Sequence, residues 1–193
     1  MAKLYFNYSA MNAGKSTVLL QASHNYEERG MRTMLLTAKV DDRAGEGVIN
    51  SRIGLSAPAD IFGPEDDLFH MVEQRNASGA IACVFVDEAQ FLSVEQVWAL
   101  GRVSDDLNIP VMCYGLRTDF QGELFPGSAT LLAVADNLRE VRTICWCGSK
   151  ATMVVRLGAN GLVTEEGDQI AIGDDIYVSL CRKHWRKRRL GDG

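Results

Sequence analysis

The sequence predicts an α/β fold: a P-loop parallel sheet with helices on both faces, joined to a small zinc-binding lobe of β-hairpins. Three features carry this. A strand-like run over residues 3–8 opens through small residues into Gly14-Lys15-Ser16-Thr17 and a helical pattern. Further apolar runs alternate with helical periodicity, the order of βαβ units. Beyond about Leu138 the runs shorten, and Cys145, Cys147, Cys181 and His184 fall among turn signals.

Taken in order, residues 3–8 form the first strand. Residues 16–29 form a helix, with Val18, Leu19, Ala22 and Tyr26 at helical spacing and Gly30 as its stop. Residues 31–38 read as a second strand, mostly apolar as in a parallel sheet. Residues 39–64 lose all periodicity and read as a binding loop or lid, with Arg43 and Arg52 as cations it could offer to a phosphoryl group. A helix follows over 65–75, then a buried strand over 81–86 ending in Asp87-Glu88-Ala89-Gln90. Ser93 and Gln96 form a capping box, and the helix they open is apolar at Val97, Leu100, Val103 and Leu107. Residues 110–114 make another strand, whose carboxyl end leads into a loop over 115–122, where ligands sit in open α/β sheets. Short strands over 141–146, 151–157 and 175–180 complete the second lobe. The expected division is residues 1–138 and 139–193.

The chemistry starts at Ser9-Ala10-Met11-Asn12-Ala13-Gly14-Lys15-Ser16. It matches the phosphate-binding pattern G-x-x-x-x-G-K-[ST], with Ser9 in place of the first glycine. Small residues let backbone N–H groups close on phosphate oxygens at a helix N-terminus. The Lys15 ammonium reaches the β- and γ-phosphates, and the Ser16 hydroxyl is placed to ligate Mg2+. Asp87 stands where a metal-holding acid belongs. Glu88, pointing elsewhere because side chains alternate along a strand, is free to act as a general base.

At 193 residues, 47% apolar and 23% charged, the chain suits one sizeable core with an appendage. No apolar run is long enough to span a membrane and no signal peptide is recognised, so a cytoplasmic protein is expected. Six of the 20 basic residues crowd residues 182–189, leaving 14 against 25 acidic ones elsewhere. An acidic body argues against a nucleic-acid footprint. Five cysteines in such a compartment are not read as disulfides. Cys83 and Cys113 lie in apolar strands, whereas Cys145-x-Cys147 with Cys181-x-x-His184 supplies a complete four-ligand set for structural Zn2+.

Taken together, Met11 within the phosphate loop, Asp87-Glu88-Ala89-Gln90-Phe91, Thr118-Asp119-Phe120-Gln121, Ile172-Gly173 with Tyr177, and the two metal-binding pairs resemble the thymidine kinases that pair a RecA-like P-loop domain with a zinc-binding lasso domain. The resemblance covers nearly the whole chain. It implies transfer of the γ-phosphoryl group of ATP to the 5′-hydroxyl of thymidine or deoxyuridine, with Glu88 as the base. The phosphate loop with Asp41, Arg43, Asp87 and Gln90 would bind ATP and Mg2+. Phe120 would stack on the base, Gln169, Ile170, Ala171, Ile172 and Gly173 would grip the nucleoside, and Tyr177 would lie on the sugar side. Homotetramers and feedback inhibition by thymidine triphosphate are also implied. Two features depart from the family pattern: Ser9 for glycine, and one residue instead of two between Cys145 and Cys147.

Two rival readings compete with a nucleoside kinase. One is an ATP-binding module that uses the basic tail on nucleic acid. The other is a nucleotide kinase, which would need cations at its acceptor site, whereas residues 159–175 carry none and include Glu165, Glu166 and Asp168.

Overall fold

A computed structural model describes residues 1–40, 47–158, 160–169 and 176–191. In chain order the elements are β1 (Leu4–Ser9), α1 (Lys15–Glu27), β2 (Thr33–Ala38), β3 (Val48–Asn50), β4 (Ser56–Pro58), β5 (Asp60–Phe62), α2 (Leu68–Ala77) and β6 (Cys83–Val86). A 3₁₀ turn (Ala89–Phe91), α3 (Val94–Asp106), β7 (Val111–Leu116), α4 (Pro126–Val134) and β8 (Asn137–Glu140) complete the larger part. The smaller part contains β9 (Thr143–Ile144), β10 (Lys150–Ala151), β11 (Met153–Leu157), β12 (Val163–Thr164), β13 (Ile176–Leu180) and α5 (Arg182–Arg186).

Six strands form one sheet in the order β5-β2-β6-β7-β1-β8, and every pairing in it is parallel. Alternation along these strands sorts the core. Leu4, Phe6, Met34, Leu36, Val84, Val86, Val111 and Cys113 face α2, α3 and α4. Leu35, Cys83, Phe85 and Tyr114 face the other way, onto Leu19 and Leu20 of α1. All four residues of β6 are buried, the condition of a central parallel strand. The strand β7 lies between β1 and β6, so the loops leaving those two strands are about 10 Å apart. That gap suits a chain of phosphates.

The segment expected to be an aperiodic loop is partly ordered. An antiparallel hairpin, β3–β4, is anchored by Ile49 in the α1-side core, and β5 joins the main sheet as its edge beside β2. Strands of three residues are too short to display a period. Unlike the expectation from sequence, α4 also exists; Pro126 starts it, and Ala, Thr and Val dilute its pattern.

In the smaller part, β12-β11-β13 form an antiparallel sheet and β9–β10 a hairpin. It leans on the phosphate loop: Ser179 Oγ donates to Met11 O (2.5 Å), and Asn12 Nδ2 donates to Tyr177 O (3.4 Å).

Candidate active site

The phosphate loop runs from the end of β1 to the start of α1. Ser9, the residue in place of glycine, is the last residue of β1; the left-handed positions are Asn12 (φ 61°) and Gly14 (φ 81°). The substitution therefore falls where a side chain fits, and the glycine requirement rests on Gly14. The Ser9 hydroxyl has a role of its own. It accepts a hydrogen bond from Lys15 Nζ at 3.1 Å, and the same ammonium lies 3.5 Å from Ala10 O. Lys15 is thereby drawn over the loop, buried at its centre.

Asp87 follows β6 and is buried. Loss of hydration, then the neighbouring Glu88 charge, push its carboxyl up to about 7, against a hydrogen bond from Ser16 and the nearby Lys15 charge. The partly buried Ser16 hydroxyl and the buried Asp87 carboxylate, in contact beside a phosphate loop, fit Mg2+, which takes few protein ligands and completes its shell with phosphate oxygens and water.

Glu88 adopts a left-handed backbone (φ 50°, ψ 38°), uncommon for a residue with a long side chain and characteristic of functional turns. Four contacts hold the turn. Gln90 Nε2 donates to Glu88 Oε2, while Gln90 Oε1 accepts from Leu116 N at 2.9 Å. A Cβ on Gly115 would come within 2.9 Å of Gln90 N and Gln90 Oε1. A Cβ on Gly127 would meet Leu92 O at 2.5 Å and Ala89 O at 2.9 Å, so α4 abuts the turn backbone to backbone.

Met11, Asn12, Ala13, Gly14, Lys15, Ser16, Asp87 and Glu88 line one cavity of about 440 Å³, roofed by the β3–β4 hairpin with Arg52. Gln90 does not line it and is committed to Glu88 and Leu116 instead. Asp41, Arg43, Ile170, Ala171, Ile172 and Gly173 lie outside the described residues.

Phe120 is buried, 2% exposed, with its ring covered by the Arg156 guanidinium at 4.0 Å. Gln169 Nε2 donates to Asp119 Oδ2 at 2.9 Å, and Gln121 Nε2 to Gly167 O at 3.1 Å, which joins the loop after β7 to the second lobe. Tyr177 is in β13, partly buried, in register with Arg156. Sequence reasoning passed over Arg156; its signal was a lone cation in an otherwise apolar strand, Met153–Leu157.

The second cluster is metal-shaped. One ligand atom from each of Cys145, Cys147, Cys181 and His184 lies within 4.8 Å of all the others. Cys145 Sγ and Cys181 Sγ are 3.5 and 3.4 Å from His184 Nδ1, and Cys147 Sγ is 4.0 Å from Cys181 Sγ. Tetrahedral zinc with bonds of about 2.0–2.3 Å needs ligand separations of roughly 3.5–3.8 Å, so the set fits. The tight Cys145-x-Cys147 spacing is accommodated by a turn: Gly148 (φ 80°) donates to Cys145 O, and Cys145 N to Ser149 O. Hydrogen bonds from Ser149 lower the Cys147 thiol to about 6, favouring the thiolate that a metal requires. Trp146 stacks on the His184 ring at 4.3 Å and fixes its plane.

Comparison with known proteins agrees with this geometry. The family model described as thymidine kinase matches residues 2–185. A thymidine kinase of Ruegeria pomeroyi is 70% identical, covering 97% of this chain and 95% of its own length. Thymidine kinases of Mesorhizobium japonicum and Jannaschia sp. are each 65% identical, covering 97% and 100% of this chain and 92% and 98% of their own lengths.

Proposed function

The chain belongs to the thymidine kinase family, and from that premise we propose that it transfers the γ-phosphoryl group of ATP to the 5′-hydroxyl of thymidine or deoxyuridine. The observation that carries the reading is the convergence of Lys15, Ser16, Asp87 and Glu88 on one cavity. Phosphoryl transfer asks for positioning and charge stabilisation, and these groups offer both.

Residues 9–16 wrap the triphosphate with backbone N–H groups, and Lys15 leaves Ser9 for the β- and γ-phosphate oxygens. Ser16 and Asp87 would hold Mg2+, which neutralises charge on the transferring group. Glu88, steadied by Gln90, accepts the 5′-hydroxyl proton on a carboxylate oxygen. Asp41 and Arg43 add phosphate contacts by family resemblance. On the acceptor side, the Phe120 loop forms the wall for the base. Gln169, Ile170, Ala171, Ile172 and Gly173 grip the nucleoside, with Tyr177 beside the sugar. Cys145, Cys147, Cys181 and His184 hold a structural Zn2+. Family membership is the support for a homotetramer, for inhibition by thymidine triphosphate and for a cytoplasmic setting. The acidic body supports the absence of a nucleic-acid partner.

With Mg2+ and ATP, ADP should form only when thymidine or deoxyuridine is added. Stimulation by thymidine monophosphate or single-stranded DNA, with none by thymidine, would overturn the assignment. Glu88→Gln should bind ATP normally and lose about 10²–10⁴ in kcat, the worth of a positioned base.

A further inference from the structure

Two residues of the nucleoside site expected from sequence, Phe120 and Tyr177, and the segment leading to its gripping residues meet at a residue the sequence did not single out. Arg156 is 6% exposed in the central strand of the β12-β11-β13 sheet. Its guanidinium lies over the Phe120 ring at 4.0 Å. Nη1 donates to Asp168 O at 3.0 Å and Nη2 to Glu166 O at 3.3 Å, so one planar fork holds two carbonyls of the segment leading to the nucleoside-gripping residues. Across the strand pair its register partner is Tyr177.

The segment is shaped to receive the fork. Gly167 sits between the two carbonyls at φ 127°, and a Cβ there would stand 2.3 Å from Arg156 Nη2. Lysine offers its donors from a single nitrogen and lacks the rigid planar fork that spans two spaced carbonyls while lying flat on a ring. A guanidinium against an aromatic face retains its in-plane donors, which is the arrangement here.

We propose that Arg156 is the positioning residue of the nucleoside site, a latch that fixes residues 166–168 against Phe120 so that the acceptor side is organised before the nucleoside arrives. The proposal rests on the thymidine reading above. A site organised in advance spends no binding energy on ordering, and loss of the latch charges that ordering to the substrate. The defect therefore belongs in the nucleoside KM, not in ATP binding.

Arg156→Met keeps stem length and ring contact but removes the fork; Arg156→Lys keeps the charge. Arg156→Met should raise KM for thymidine at least tenfold, leave KM for ATP within about twofold and kcat within about threefold, and retain the metal content of the parent. Arg156→Lys should fall between it and the parent. Gly167→Ala, which crowds the fork and also strains the backbone at φ 127°, should act in the same direction. A second readout needs no nucleoside: a Glu-specific protease should cut after Glu165 and Glu166 at least several-fold faster in Arg156→Met. An unchanged thymidine KM, or equal rises for both substrates, overturns the latch. If the parent enzyme ignores thymidine, the functional reading fails on its own, and equal cleavage rates then overturn the latch independently.

Discussion

A carboxylate as deeply buried as Asp87 destabilises the protein that carries it, because burial and Glu88 both oppose its ionisation. The sign follows from the raised value. Below the unfolded carboxyl value of about 4 the group is protonated in both states and carries no penalty. As pH rises towards about 7 the unfolded chain ionises while the folded one resists, so stability declines across that window and stays reduced above it. At about 1.4 kcal/mol per pKa unit the loss amounts to a few kcal/mol, offset when Mg2+ binds. Asp87→Asn should therefore melt several degrees above the parent at pH 8 without Mg2+, with the gap closing towards pH 5, and should be catalytically inactive. Thermal scans at both pH values check this. A lower melting temperature for the variant at pH 8 would mean that Ser16 and Lys15 already compensate the charge. Ser9 marks the opposite case, a departure from a familiar pattern that costs the backbone nothing, since the strained positions are Asn12 and Gly14.

Between α4 and the 3₁₀ turn after β6, two physical tendencies compete at Gly127. Helix propensity favours alanine over glycine by about 1 kcal/mol. Packing opposes it, because the new Cβ would fall 2.5–3.0 Å from three backbone carbonyls of the turn that presents Glu88. Backbone cannot swing aside as a flexible side chain can, and overpacking of this kind costs about 1–3 kcal/mol. Packing should win: Gly127→Ala should melt several degrees lower and lose kcat with little change in ATP affinity. Equal or higher stability would show that the turn yields freely. This contact also explains why parts of the fold were legible in the sequence and others were not. The central strands β1, β2, β6 and β7 announced themselves as apolar runs, and Ser93 with Gln96 marked the start of α3, where both capping hydrogen bonds form. The helix α4 and strands β3 to β5 stayed hidden because their order comes from contacts distant in sequence, such as Ile49 in the α1-side core. In the site, residues named by motif chemistry could be read directly. Arg156 left only the trace of a lone cation in an apolar strand, and what it and Gln90 hold in place depends on partners brought together by the fold, such as Asp168 O and Leu116 N.

At the scale of the whole molecule, the two parts are unequal in what holds them. The large sheet has cores on both faces, whereas among the described residues the fully buried apolar cluster of the smaller part comprises Cys145, Ala151, Val155 and Leu180, with partly buried side chains such as Trp146 and Trp185 packed on it. One of these, Cys145, also belongs to the Cys/His set that fits a metal, so a metal bound there would be part of the core. A cluster of that size does not offset the entropy of ordering some fifty residues, and a tetrahedral zinc held by the Cys/His set would supply the missing stabilisation. The same lobe carries Arg156 and Tyr177 and reaches Met11 and Asn12 of the phosphate loop through Ser179, the Tyr177 carbonyl and Thr143. Metal loss should therefore be felt first by the nucleoside and only secondarily by ATP. Cys147→Ser should lower bound zinc from about one equivalent per chain, raise KM for thymidine at least tenfold, and weaken ATP binding by no more than several-fold. In a thermal scan it should add a transition below that of the main sheet. The comparison needs metal analysis and steady-state kinetics on the same preparation. Unaltered thymidine kinetics at reduced zinc would mean that contacts with the phosphate loop, and not the metal, organise the lobe.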